Sequence, residues 1–183
     1  ITSIREWSSI EAIATRVKLK KEAIFLRKGE RAGKEIFVEN GIVRGFIVDE
    51  SGNEKSTSFF RQGEFVSTNT LRTHQGISVY NYQALSSATL LVFDSKELRK
   101  LLSETKSMIA LGKQIKEREL VRMSNRDECL MEVKAVNKYL KFSGFYPEIE
   151  SQIAQRHIAS YLGITPVSLS RLKKALLSGT VIN

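Results

Sequence analysis

A single cysteine, Cys129, stands among 183 residues. No disulfide can form within the chain, and a reducing cytoplasm is the expected setting. One cysteine also cannot hold an iron–sulfur centre. The only histidines are His74 and His157. A metal enzyme built on a β-barrel needs two or three clustered histidines with a carboxylate, so no metal, cofactor or catalytic group is expected. Haem held through His74 would rest on one residue. No apolar run approaches the ~20 residues that cross a bilayer, and no membrane partner is expected. No signal peptide is visible, and the chain opens on Ile1 rather than Met, so a trimmed start is expected. Acidic residues vanish from the end of the chain: from Ser151 to Asn183 the charged side chains are Arg156, Arg171, Lys173 and Lys174. A segment with positive charge alone approaches a phosphate backbone without local repulsion. Across the whole chain, 29 basic residues face 20 acidic ones, for a net charge of +9. Hydrophobic residues make up 42% and charged residues 27%, an ordinary globular balance at a length suited to two small domains.

Three patterns divide the chain. Residues 1–23 carry Ile4, Trp7, Ile10, Ile13, Ala14 and Val17 at helical spacing. From Ile24 to Phe93 glycines recur at 29, 33, 41, 45, 52, 63 and 76 between runs rich in Ile, Val, Phe and Tyr. Strands are expected at 24–26, 35–39, 42–49, 55–60, 77–85 and 89–93, with turns at Ser51-Gly52-Asn53 and Gln62-Gly63-Glu64. Short strands so spaced imply a sandwich or small barrel. At Asp94 and Glu97 a capping-box spacing opens a long helix. It is expected to run over 95–123 and to break at Ser124-Asn125-Arg126-Asp127. A second helix then carries Leu130, Val133, Val136 and Leu140, and Ser143-Gly144-Phe145-Tyr146-Pro147 forms a linker. The apolar residues Met108, Ile109, Leu111, Ile115 and Met123 need a partner surface. A second copy of the helix is the economical one; packing back on the chain's own barrel is the alternative. Glu119 and Arg122 interrupt the heptad pattern.

The most informative stretch runs from Gln155 to Leu176. Ile158, Ala159 and Leu162 form the inward face of a short helix. Gly163 suits a left-handed turn, Thr165 an N-cap and Pro166 a first helical residue. Leu169, Leu172 and Leu176 give a second helix its buried stripe. Its outward face presents Val167, Ser168, Ser170, Arg171 and Lys174. Arg171 can fork to guanine, the serines can bond bases or backbone, and Val167 can touch a thymine methyl. Arg156, Lys173 and Lys174 suit phosphates, and Thr165 completes the set at the helix start. A helical hairpin used for protein contact is the alternative reading.

This order of parts resembles the Crp/Fnr family of transcription regulators over nearly the whole chain. The residues that carry the likeness are Lys28-Gly29-Glu30, the run Ile36–Gly45, Gly52-Asn53-Glu54 and Gly63-Glu64-Phe65, together with Tyr161-Leu162-Gly163-Ile164-Thr165-Pro166. The segment from Ile158 to Pro166 is similar to the subgroup typical of Bacteroidetes. The resemblance implies an α+β chain: an N-terminal double-stranded β-helix (jelly-roll) sensor barrel over 1–94, a dimerisation helix over 95–124, and a C-terminal, winged-helix-like helix-turn-helix domain over 125–183. It implies double-stranded DNA as partner, a homodimer, contact with RNA polymerase and a small-molecule effector.

Members that bind cyclic AMP carry Gly-Glu-Leu followed about ten residues later by Arg-Ser or Arg-Thr. Here Gly63-Glu64-Phe65 leads into Val66-Ser67-Thr68-Asn69-Thr70-Leu71, the later position reads Gly76-Ile77-Ser78-Val79, and Arg72 is offset. An unneutralised buried phosphate is costly, so cyclic AMP is not the expected ligand. Ser67, Thr68, Asn69, Ser78, Tyr80 and Tyr82 would form an uncharged polar pocket for another small molecule; an empty barrel is the alternative. Pro166 and Val167 replace the Arg and Glu that open the recognition helix of cyclic-AMP-responsive members, while Arg171 matches a later Arg, so the operator should differ. The tail from Leu177 to Asn183 is too short for a full wing hairpin. The remaining rival is a degenerate cyclic-nucleotide-type domain that works through protein contacts without specific DNA binding.

Overall fold

The computed structural model describes residues 4–66, 73–74 and 76–178. Helix α1 (Ile4–Ala12) is followed by β1 (Thr15–Leu19), β2 (Ile24–Leu26), β3 (Lys34–Asn40), β4 (Val43–Val48) and β5 (Glu54–Phe60). Four short strands follow: β6 (Phe65–Val66), β7 (Thr73–His74), β8 (Ile77–Ser78) and β9 (Asn81–Ala84). Strand β10 (Ala88–Asp94) leads into helices α2 (Ser95–Leu101), α3 (Lys106–Met131), α4 (Ala135–Phe145), α5 (Gln155–Leu162) and α6 (Pro166–Leu177). The chain divides into two compact units, Ile1–Gly45 with Phe59–Leu120, and Phe46–Ser58 with Val121–Asn183. Residues 95–120 fall in the first unit and 121–124 in the second.

The strands form two four-stranded sheets, ordered β1-β10-β3-β6 and β2-β9-β4-β5, plus the β7–β8 pair. They are two separate sheets rather than one closed barrel. The period of two decides what each face buries. On β3 and β10, Ile36, Val38 and Leu90 join Val43, Phe60, Tyr82 and Ala84 from the other sheet in one core. Their neighbours Phe37, Leu91 and Phe93 point the opposite way, into a second core with Ile10, Leu98 and Met108. Aromatic edges knit that second core, with Trp7 and Phe37 ring centres 5.0 Å apart and Phe37 and Phe65 also at 5.0 Å. Gly41 (φ 93°) must lack a side chain, because a Cβ there would fall 2.7 Å from the Ser87 carbonyl oxygen.

Four expectations need correction. The helix expected over 1–23 ends at Ala12, and Thr15–Leu19 is a strand. Thr-Arg-Val-Lys-Leu alternates apolar and polar residues, and it pairs antiparallel with β10 from Thr15 opposite Val92 to Leu19 opposite Ala88. The strand expected over 77–85 is broken, because the Ser78 hydroxyl donates to the Tyr80 carbonyl at 2.7 Å and turns the chain. The long helix breaks near 102–105 instead of 124–127. There the Ser103 hydroxyl donates to the Lys100 carbonyl, and Thr105 Oγ1 accepts from the Met108 amide at 3.2 Å, capping a new helix. Ser124–Asp127 contains neither glycine nor proline and stays helical. Finally, the helix after the next break buries Tyr139 and Phe142, leaving Val133 and Leu140 exposed. The Asp94 cap does form, with its carboxylate accepting from the Lys96 and Glu97 amides.

Candidate nucleic-acid interface

The second unit is built around aromatic rings. Phe142 lies 5.2 Å from Tyr146 and 5.5 Å from Tyr161 between ring centres. The Arg126 guanidinium sits over the Tyr161 ring at 5.9 Å. Burial holds the Tyr161 hydroxyl well above its ordinary pKa. Helix α5 buries His157, Ile158, Ala159, Tyr161 and Leu162 against this cluster.

At the end of α5, Gly163 takes the left-handed conformation (φ 67°, ψ 31°) and the Ile164 amide donates to the Ala159 carbonyl at 3.0 Å. That bond closes the helix and turns the chain sharply. Thr165 follows as the N-cap of α6, its hydroxyl accepting from the Ser168 amide at 3.1 Å, with Pro166 at the first helical position. Every local expectation for this turn is met. Leu169 and Leu172 are buried, whereas Leu176 is exposed and does not complete the stripe.

With the buried side of α6 fixed, its outward side follows from helical spacing. Val167 (59% exposed), Ser168, Arg171 and Lys174 lie exposed along it, and Ser170 is half-buried. The Ser168 hydroxyl is shared with Thr165 Oγ1 at 2.8 Å. Arg156 is exposed on α5. Lys173 is held by an ion pair. Its ammonium lies 2.6 Å from Glu150, whose carboxylate also accepts from the Tyr139 hydroxyl at 2.5 Å and from Ser143 at 3.2 Å. Burial works to raise the Glu150 pKa, but the bonds from Lys173 and Tyr139 and the Lys173 charge outweigh it and hold the carboxyl below its ordinary range. Glu150 therefore ties α4 to α6 and fixes how α6 is presented. Sequence reading missed it, since nothing local marks a carboxylate that pairs 23 positions away.

Within the same unit, Ser160 on α5 is tied to Ser56: its hydroxyl accepts from the Ser56 amide at 3.1 Å and donates to the Ser56 hydroxyl at 2.8 Å. Of the six residues expected to line a polar pocket, Ser67, Thr68 and Asn69 lie outside the described residues. Ser78 spends its hydroxyl on Tyr80, which is half-buried against the sandwich core. Tyr82 is part of that core, its ring 6.0 Å from Phe25 and 6.4 Å from Phe60. The residues expected on the dimer helix divide as well. Met108 (2% exposed) and Leu111 pack into the first unit's second core, Ile115 is half-buried, and Ile109 (55%) and Met123 (44%) are exposed. Leu120 and Val121 are exposed too, while Glu119 and Arg122 are buried. Packing back on the chain's own first unit therefore describes Met108 and Leu111.

Residues 16–105 match the family described as the cyclic nucleotide-binding domain. No curated protein matches the sequence. Among solved structures, FixK2 from Bradyrhizobium japonicum is similar with a TM-score of 0.75 at 18% identity, covering 91% of this chain and 86% of that one. The c-di-GMP responsive global regulator CLP of Xanthomonas campestris gives 0.75 at 16% identity, over 97% of this chain and 93% of that one. A CRP-family transcriptional regulator from Thermus thermophilus gives 0.70 at 13%, over 91% and 87%. Residues 16–105 thus match the cyclic nucleotide-binding domain family, within a chain whose fold is similar to that of solved Crp/Fnr transcription regulators.

Proposed function

We propose that this protein is a Crp/Fnr-type transcription regulator that binds double-stranded DNA as a homodimer and catalyses no reaction. The observation that carries the reading is the outward stripe Val167-Ser168-Arg171-Lys174, set on a helix whose start is pinned by Gly163, Thr165 and Pro166. The absence of acid from Ser151 onward supports it. In this reading α5 and α6 are a helix-turn-helix whose second helix enters the major groove. Arg171 forks to guanine or grips phosphate, Ser168 and Ser170 bond bases or backbone, and Val167 meets a thymine methyl. Arg156 and Lys174 hold phosphates. Lys173 joins them only by giving up Glu150. The eight sandwich strands form a jelly roll that serves as sensor domain.

Two copies pair through the C-terminal part of α3, along exposed Leu120 and Met123, and set their reading helices about one DNA turn (~34 Å) apart. The setting is the cytoplasm, and RNA polymerase is the further protein partner. The arginine of the cyclic-AMP cassette is not in place after Gly63-Glu64, Arg72 being offset, so the effector is a different small molecule, or none. Polarisation with duplex selected from a random pool, at two salt concentrations, tests the reading. Binding should fall steeply with salt, and Arg171→Ala should weaken the selected site by about 1–3 kcal/mol. No duplex binding at low salt, or a protein that stays monomeric by light scattering at micromolar concentration, would refute it.

A further inference from the structure

A cavity of about 490 Å³ opens in the first unit between α2, α3 and the outer face of a sheet, within the range that holds small molecules. Its wall is chiefly apolar, from Phe65, Leu98, Leu102 and Ile109. Around this surface stand three cations, Arg99, Lys113 and Lys116, against one acid, Glu35. Ile109, Lys113 and Lys116 are four and three residues apart and share one side of α3. Lys113 is largely exposed, with only a 3.9 Å contact to Glu117. Arg99 and Lys116 pair with no acid among the described residues. Ser95 also lines the cavity. It is 6% exposed, and its hydroxyl has no hydrogen-bond partner among the described residues. Buried hydroxyls are normally satisfied, so this one points to an acceptor supplied from outside. Gly112 faces the same space; a Cβ there would already lie 3.6 Å from Leu102.

We infer that this cavity binds an amphipathic anion, a molecule with an apolar body and one acidic group, of the size of a medium-chain fatty acid. The body lies along Phe65, Leu98, Leu102 and Ile109, and the acidic group meets Lys113 and Lys116 near the mouth. The site is separate from the core of the sandwich, where Tyr82 is packed between Phe25 and Phe60. Binding here does not depend on DNA recognition, and its test reads binding alone.

Isothermal titration of the full chain with decanoate, below its critical micelle concentration, tests the inference. Decyltrimethylammonium, with the same tail and the opposite charge, serves as comparison. Decanoate should saturate at one per chain, and the cation should not. Lys113→Glu with Lys116→Glu, both on exposed positions, should weaken decanoate at least tenfold. Gly112→Leu should abolish uptake by filling the cavity beside Leu102; should that variant fail to fold, the charge variant still decides the matter. Failure of decanoate to saturate, equal uptake of the cation, or affinity unchanged in the charge variant overturns the inference. Uptake that vanishes as protein concentration rises overturns it as well, because a second copy would then fill the space.

Discussion

Replacing Glu150 by glutamine separates a structural lysine from a DNA contact. In the native unit the Lys173 ammonium lies 2.6 Å from the Glu150 carboxylate, with the two side chains 26% and 21% exposed. A charge-assisted bond at this burial is worth more than the ~0.2–1 kcal/mol of an exposed pair. It is worth less than the ~3–5 kcal/mol lost when a fully buried pair is broken. Gln keeps an acceptor for the Tyr139 hydroxyl and removes only the charge, and Lys173 retains some access to water. The expected loss for Glu150→Gln is therefore about 1–2 kcal/mol. At about 2–4 °C per kcal/mol for a chain of this length, the melting temperature should fall by roughly 2–8 °C at pH 7. The pH dependence has a definite sign. The folded carboxyl is held below its ordinary range, so it stabilises above the unfolded pKa of about 4.3 and loses that contribution as pH falls through the lower folded value. Wild-type and Glu150→Gln melting curves should converge in acid. Lys173→Met should cost as much stability as Glu150→Gln while leaving the salt dependence of DNA binding in place. A Lys173→Met protein with unchanged melting temperature and a salt slope smaller by about one phosphate would refute the reasoning.

Two further outcomes follow from backbone and burial. Gly163→Ala should cost about 1–2 kcal/mol in a denaturant titration, because the left-handed conformation (φ 67°) penalises a Cβ. Gly163→Asn should cost less; an alanine variant as stable as wild type would show that the turn is not left-handed. Cys129 is buried and its pKa is pushed up to about 11, chiefly by burial, so only about one thiol in a thousand is ionised at pH 8. Ellman's reagent should react with it at the rate of global unfolding, and labelling within seconds under native conditions would contradict that burial.

The parts legible in the sequence are those decided by neighbouring residues. Gly163, Thr165 and Pro166 each restrict their own backbone, so the turn between α5 and α6 could be read without knowing what packs on it. The alternation in β3 and β10 was equally local. The segment 1–23 misled because Ile13 and Val17 also fit a helical period; Thr15–Leu19 is extended because it completes a ladder with β10, about seventy residues away. The helix break at 103–105 depends on two hydroxyls choosing backbone partners, a choice that Ser124 and Asn125, of similar type, do not make. In the candidate site the cations were found by charge alone, and charge does not report pairing. Lys173 and Lys174 are adjacent and chemically identical, yet one is tied to Glu150 and the other is exposed. The cavity beside α2 had no sequence signal, because it arises where two helices with separately ordinary patterns meet.

That division of the cations bears on why a dimer matters. On the proposed reading each chain brings three groups to phosphate: Arg156, Arg171 and Lys174. Three neutralised phosphates give a slope of about −2.7 in log affinity against log salt, so a fourfold rise in salt costs a lone chain only about fortyfold. Six phosphates in a dimer double the slope, and the same rise costs about 10³-fold. In the proposed dimer, pairing through α3 supplies one small cationic face twice, and the measured salt slope counts the faces directly.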